Sequence, residues 1–148
     1  MARQNTQLES EGAEFLVLGQ LLVQGIPSYK AYQGFAGYDL VATNPDTHRA
    51  ARIQVKSRWR TGAEGFIIKR FDCDFVVVVL LNRGSKDGAG EVKPPQFFVV
   101  PVAVIEAAAS AGKSSWGKIS WRQIEGFKDY EDRWHLIEDF LGGAVAEG

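Results

Sequence analysis

The chain has 148 residues, with 17 Lys+Arg against 18 Asp+Glu for a net charge of −1, and 45% of it is hydrophobic; this suits one domain with one core and excludes a disordered chain. A single cysteine excludes an internal disulfide framework and a cysteine-based zinc cluster, and the longest purely apolar run, Phe75 to Leu81, is too short to span a membrane. The residues Met1 to Asn5 lack the shape of a secretory signal, so a soluble protein in a reducing, cytoplasmic setting is expected.

The first expected element is a helix over residues 6–24. Thr6 is its N-cap, with Glu9 three residues on at the spacing of a capping box. Leu8, Phe15, Leu18 and Leu22 recur at helical spacing. From Phe15 to Val23 only Gly19 and Gln20 are not large and apolar, so this half is expected to be buried on most sides. Gly25 followed by Ile26-Pro27 ends the helix. Short strands follow at 28–32, 38–43 and 52–58. Gly34 and Gly37 separate the first two, and the turn Asn44-Pro45-Asp46 folds the second and third into an antiparallel hairpin.

Phe66 to Lys69 reads as another short strand, and Phe75 to Leu81, β-branched and apolar on both faces, as a central one. Gly84 to Pro95 is a polar loop, expected to be exposed and mobile. A strand at Gln96 to Pro101 leads into an alanine-rich helix, Val102 to Ala111, ended by Gly112. Gly117 to Trp121 reads as an edge strand. Tyr130 to Leu141 reads as the closing helix, with Tyr130, Trp134, Ile137 and Leu141 on one stripe, and residues 142–148 read as a tail. Helix, mixed sheet and helix make one layered α/β domain over residues 1–148.

Near-neutrality conceals an uneven distribution of charge. Residues 1–48 carry −3 and residues 71–148 carry −4, whereas residues 49–70 carry +6, from seven cations and Glu64. Such a stretch can hold a polyanion locally; solvated strand-edge charge accounts for it as well. Glu14 shares a helix face with Leu18 and Leu21, where a carboxylate costs free energy unless it is paired, near a metal or at the rim of the core. A rim position near the positive helix N-terminus is the plain alternative, and Glu11 competes for the same place. Alternation sets Asp39, Val41 and Thr43 on one face and Tyr38, Leu40 and Ala42 on the other, unless Asp39 only starts a turn after Gly37.

The stretch Arg52 to Arg58 is the most informative. Gln54 and Lys56 leave one face about 6–7 Å apart, while Ile53, Val55 and Ser57 occupy the other. The hairpin brings Asp39 beside Gln54, and with Glu14 arriving from the helix the group has the parts of a phosphodiesterase site. An amphipathic strand with a polar outer face explains the same letters. Trp59, between Arg58 and Arg60, either stacks on a base or sugar while the arginines hold phosphates, or packs against the sheet edge; Lys69 and Arg70 extend the basic face. His48 and His135 read as surface or partly buried histidines, and Cys73 as inert core. The glycines of Gly84 to Gly90 lack the phosphate-loop pattern.

The order of these residues resembles the PD-(D/E)xK nuclease superfamily: a helix glutamate, then an aspartate, then an acidic residue, any residue and lysine on the next strand. The matching residues are Glu14, Asp39 in Gly37-Tyr38-Asp39-Leu40-Val41, and Gln54-Val55-Lys56-Ser57. The helix from Glu14 to Gly25 and the Gly25-Ile26 step are similar to the archaeal Holliday-junction resolvase branch. The runs Phe71 to Val77 and Phe97 to Pro101 are similar to small bacterial endonuclease-like members, and the resemblance covers roughly residues 9–101. It implies a restriction-endonuclease-like mixed central sheet flanked by helices with an αβββαβ core. It also implies a DNA endonuclease that uses Mg²⁺, with Mn²⁺ as a substitute, and leaves a 5′-phosphate and a 3′-hydroxyl.

By the same resemblance, Asp39, the Gln54 side-chain oxygen, the Val55 carbonyl and Glu14, directly or through water, hold the metal. Lys56 serves the nucleophilic water, while Arg58, Trp59, Arg60, Lys69 and Arg70 hold the DNA backbone. Tyr38 stands where the superfamily has proline, and Gln54 where it has an acidic residue. Gln-x-Lys is similar to the motif of a homing endonuclease branch, but an uncharged ligand weakens tight two-metal binding, so one ion is expected. A small domain engages two strands as a homodimer or higher homo-oligomer, with Trp116, Trp121 and the last helix as interface candidates. A catalytically inactive DNA-binding or assembly module on the same fold is the alternative, and a protein-interaction domain the third.

Overall fold

The computed structural model describes residues 6–31, 37–85, 87–112 and 117–142. In chain order the elements are α1 (Thr6–Val23), β1 (Ser28–Lys30), β2 (Leu40–Asn44), β3 (Arg49–Arg58), β4 (Gly65–Ile67), β5 (Phe75–Leu80), β6 (Gln96–Pro101), α2 (Val102–Ala111), β7 (Lys118–Ser120) and α3 (His135–Phe140), with 3₁₀ turns at Trp121–Gln123 and Phe127–Tyr130. Five strands form one sheet in the order β1-β2-β3-β5-β6, antiparallel at each junction except the parallel β3–β5 pair. A parallel pair requires a crossover. Residues 59–74, including β4, supply it where the αβββαβ order has a helix. This is a mixed α/β architecture with a five-stranded sheet flanked by helices, as expected.

The period-two burial of β5 organises the two layers. Phe75, Val77 and Val79 join a cluster under α1 and α3, with Leu40, Ala42 and Ile53 of the sheet and Ala13, Val17 and Leu21 of α1. Val76 and Val78 face the other way, into a cluster with Ile105 and Ala108 of α2, Phe66 of β4 and Ile119 of β7. Each buried Val, Leu, Ile or Phe among these contributes about 1.5–3 kcal/mol relative to exposure, so both faces stabilise the fold.

Several expectations are corrected. The strands at 66–69 and 117–121 are real but pair with each other, Gly65 to Ser120 and Ile67 to Lys118, in a separate two-stranded sheet. The closing helix is shorter than 130–141. Glu131 bridges to Phe98, the Asp132 N–H donates to Phe97 O (2.8 Å), and Asp132 has φ of 55°, so helical hydrogen bonding restarts only after the chain has crossed the sheet end. The stripe is split in consequence: Trp134, Ile137 and Leu141 pack under α1, and Tyr130 packs in the cluster on the opposite face. The Gly84 to Pro95 loop is exposed over most of its described residues, as expected, and it is tied at its base. Buried Asn82 donates to Pro94 O (3.0 Å) and Gln96 Oε1 (3.1 Å), and Arg83 bridges Val92. Finally, α1 buries Ala13, Val17 and Leu21, but Phe15, Leu16, Leu22 and Val23 are 55%, 42%, 52% and 82% exposed. Burial on most sides is not reached within one chain.

Candidate active site

Asp39 lies at the entry to β2. Leu40 is paired with Ile53, and the Asp39 N–H also donates to Ile53 O (2.8 Å), so two residues oppose one in the manner of a β-bulge. The extra residue resets the alternation. Tyr38 packs in the α2-side cluster while Leu40 and Ala42 face α1, which corrects the expected grouping of these three. Gly37 just before it has φ of 93°, and a Cβ there would collide with the Asp72 side chain, so only glycine fits without rearrangement. The Asp39 carbonyl accepts the Ala31 N–H (2.9 Å), and its carboxylate Oδ2 accepts the Val55 N–H (2.8 Å). Backbone on both sides therefore fixes Asp39, and the Val55 N–H holds its carboxylate.

On β3 the expected alternation holds. Ile53 and Val55 pack with the α1-side cluster, whereas Gln54 and Lys56 pair in register with Val76 and Val78, which face the other side. Within a strand the N–H and C=O of one residue leave along the same edge. The Val55 carbonyl thus emerges on the edge whose N–H holds Asp39. The Gln54 side-chain oxygen accepts the Cys73 thiol at 3.9 Å. Cys73 is buried, and burial pushes its thiol up to about 11, so it is a neutral core group as expected.

Glu14 comes to the site from α1, and with it a residue that sequence spacing did not reveal. Lys30 of β1 pairs with Glu11 and lies 3.5 Å from Glu14 Oε1 and 4.4 Å from the centre of the Phe15 ring. The antiparallel register sets Lys30 opposite Leu40, next to Asp39, and only strand pairing shows this. The electrostatics tie the group together. Burial raises the Glu14 carboxyl above the ordinary carboxylate range, the Asp39 charge raises it further, and Lys30 opposes both. Asp39 is also raised by burial, against the Val55 hydrogen bond and the charges of Lys56 and Lys30. Burial lowers the Lys56 ammonium, and Asp39 counters this. Asp39 is therefore coupled by charge to both Glu14 and Lys56, while the Gln54 oxygen is turned to Cys73.

Two partly desolvated carboxylates that repel each other suit an added cation, because a positive charge would relieve both penalties. Among the described residues no group of three His, Cys, Asp or Glu side chains is placed to hold a metal. An ion here would draw on neutral oxygens as well, and the Val55 carbonyl lies on the strand edge that faces Asp39.

The basic stretch is partly used inside the fold. Arg58 Nη1 donates to Gly65 O (2.8 Å) and braces β3 against β4. Arg52 pairs with Asp74 (3.3 Å), and Arg49 lies over the Phe140 ring (5.3 Å). Trp59 is half-buried, and Arg60, Lys69 and Arg70 are exposed. A groove of about 360 Å³ separates the first turn of α1 from Phe66 and Ile67, and Lys56, Ser57 and Arg58 line it. His48 and His135 are exposed. Of the interface candidates, Trp121 is partly buried and stacks on Phe66 (5.3 Å) and Phe127 (4.8 Å) with its N–H on Ala63 O, and the last helix turns Ile137 into the core and keeps His135 and Asp139 exposed. Trp116 lies outside the described residues.

No family model matches the chain, and no curated protein matches it in sequence. Among solved structures the chain is similar to a bacterial homing endonuclease, I-Ssp6803I, with a TM-score of 0.60 and 21% identity over 99% of this chain and 100% of that one. The likeness runs the whole length of both chains and establishes a nuclease-like fold.

Proposed function

We propose that the chain is a metal-dependent DNA endonuclease of the PD-(D/E)xK type with a Gln-x-Lys variant motif. The observation that carries this reading is the charge coupling of Asp39 with Glu14 and with Lys56 on a fold similar to that of a homing endonuclease. Asp39, Glu14 and the Val55 carbonyl would hold one Mg²⁺, for which Mn²⁺ substitutes. Gln54 would join them by releasing Cys73, which costs little because a thiol is a weak donor. When bound, the ion supplies Lewis-acid stabilisation of charge on the scissile phosphate and leaving oxygen.

The chain's own residues do the rest. Asp39, held by the Val55 N–H, keeps its carboxylate fixed before substrate arrives, so little reorganisation is needed. Lys56, with its ammonium lowered by burial, orients the attacking water and exchanges a proton with it more readily than an exposed lysine. Arg60, Lys69 and Arg70, with Trp59 beside them and Arg58 bracing the strand, hold the phosphate backbone. In-line hydrolysis leaves a 5′-phosphate and a 3′-hydroxyl. Soluble, cytoplasmic action on DNA fits a chain in which no described helix is long and apolar enough to cross a membrane.

A second reading, an inactive DNA-binding or assembly module, is favoured by one observation: Lys30 already sits between Glu11 and Glu14, and Gln54 adds no charge. Incubation with supercoiled plasmid in Mg²⁺ or Mn²⁺ separates the two. Cleavage by the parent and by neither Asp39→Ala nor Lys56→Ala supports the enzyme. Binding by all three without cleavage in either metal supports the module, and no salt-sensitive DNA shift at all points to a protein-interaction domain.

A further inference from the structure

A helix that is apolar on all sides is stable when it is covered on all sides, and α1 is covered on one. Ala13, Val17 and Leu21 form its buried stripe. Diametrically opposite, at 100° per residue, run Leu8, Gly12, Phe15, Gly19 and Leu22, flanked by Leu16 and Val23. Of the eight exposed large hydrophobic side chains among the described residues, five lie on this one helix, which marks an interaction surface rather than scattered apolar exposure.

The outer stripe has a symmetry of its own. Leu8 and Leu22 each stand seven residues from Phe15, and Gly12 and Gly19 stand three and four residues from it, so the face reads nearly the same in both directions. Such a stripe is self-complementary under a two-fold axis through Phe15, with each Leu8 over the partner's Leu22 and glycine facing glycine. A Cβ added at Gly12 or Gly19 would meet nothing within 4 Å, so both positions are open and leave room for a second helix to approach closely beside Phe15.

Charge selects the direction. Glu9, Glu11 and Glu14 all lie in the N-terminal half of α1, and no charged residue lies between Phe15 and Val23. A parallel pair would place six carboxylates side by side, whereas an antiparallel pair sets each acidic half against a neutral one and opposes the helix dipoles. We propose that a second copy of this chain docks on the outer face of α1, antiparallel α1 to α1, about a two-fold axis at Phe15.

The test uses the full chain and does not depend on cleavage. Sedimentation velocity over about 1–100 µM is expected to show a dimer, which is the range where a modest helix-pair interface saturates. Leu22→Asp with Val23→Asp is expected to give a monomer with an unchanged circular dichroism spectrum, because both side chains are exposed. The geometry is read by a short bis-maleimide. Phe15→Cys lies at the axis, at an interhelical spacing of about 8–10 Å, and is expected to cross-link to its own copy. Val23→Cys lies about 12 Å along the helix from the axis, leaving the two thiols about 24 Å apart, and is expected not to cross-link. Native Cys73 is buried and gives the parent as a blank. A parent that is monomeric throughout, a dimer untouched by the double aspartate variant, or Val23→Cys cross-linking as well as Phe15→Cys would each overturn the proposal. A monomer with that face protected would point instead to another segment of the same chain, and capture on lipid vesicles to a membrane surface.

Discussion

Asp39 is held in place by the same environment that makes its charge costly. Its carboxyl and that of Glu14 lie above the ordinary carboxylate range in the folded chain, with burial as the main cause. A raised folded-state pKa means that the stabilising contribution is complete below the unfolded value, near 4, and is lost as pH rises through the folded value. At neutral pH both carboxylates therefore destabilise the fold. Asp39→Asn keeps an oxygen for the Val55 N–H and removes the charge, so it is expected to melt a few degrees above the parent at pH 7, with the difference closing below about pH 4; thermal melts across that range check it. Lys56 has the opposite sign, its folded value being lowered, and its contribution is lost as pH falls through that value. Lys56→Met is expected to leave stability intact or higher at pH 7 and to reduce cleavage by about 10²–10⁴-fold, measured as initial rates in Mg²⁺. Gln54→Glu adds the missing charge, and its half-saturating Mg²⁺ in the cleavage assay is expected to fall about tenfold.

Element boundaries were legible in the sequence wherever pattern and breaker coincided. The strand Gln96–Pro101 and the helix Val102–Ala111 fall where expected, because a proline and a glycine punctuate two unambiguous periods. The hairpin of β2 and β3 follows from its turn residues. Pairing partners were not legible, since β4 and β7 have strand composition without any signal that they avoid the main sheet. The bulge at Asp39 was invisible for a related reason: alternation assumes an uninterrupted ladder, and an inserted residue resets it. Lys30 escaped notice because its role comes from register, and a lysine on a short edge strand otherwise reads as protection against aggregation. Gly37 leads the chain into the bulge through a left-handed conformation. Gly37→Ala combines a left-handed backbone with a collision against Asp72, so a loss of about 2 kcal/mol and a drop of about 4–8 °C in Tm are expected by calorimetry, with cleavage falling alongside.

At the scale of the molecule, a net charge of −1 and a site for a polyanion are compatible because the charge is segregated. Part of the basic stretch is engaged within the chain, Arg49 over Phe140, Arg52 with Asp74 at the surface and Arg58 with the Gly65 carbonyl, and Arg60, Lys69 and Arg70 are exposed as well. Replacing any one of these three by alanine is expected to weaken DNA binding without regard to sequence and to lower the slope of log K against log[salt] by about 1, read from titrations at several salt concentrations. The nuclease-like fold is established by its likeness to I-Ssp6803I, and the proposed chemistry would rest on Glu14, Asp39 and Lys56. The most direct test is the rate of plasmid cleavage as a function of Mg²⁺ for the parent and Asp39→Asn. The account predicts saturable, Mg²⁺-dependent cleavage by the parent and a loss of at least about 100-fold in Asp39→Asn, with its folding and salt-dependent DNA binding retained. Cleavage by Asp39→Asn at the parent's rate over the whole Mg²⁺ range would contradict it.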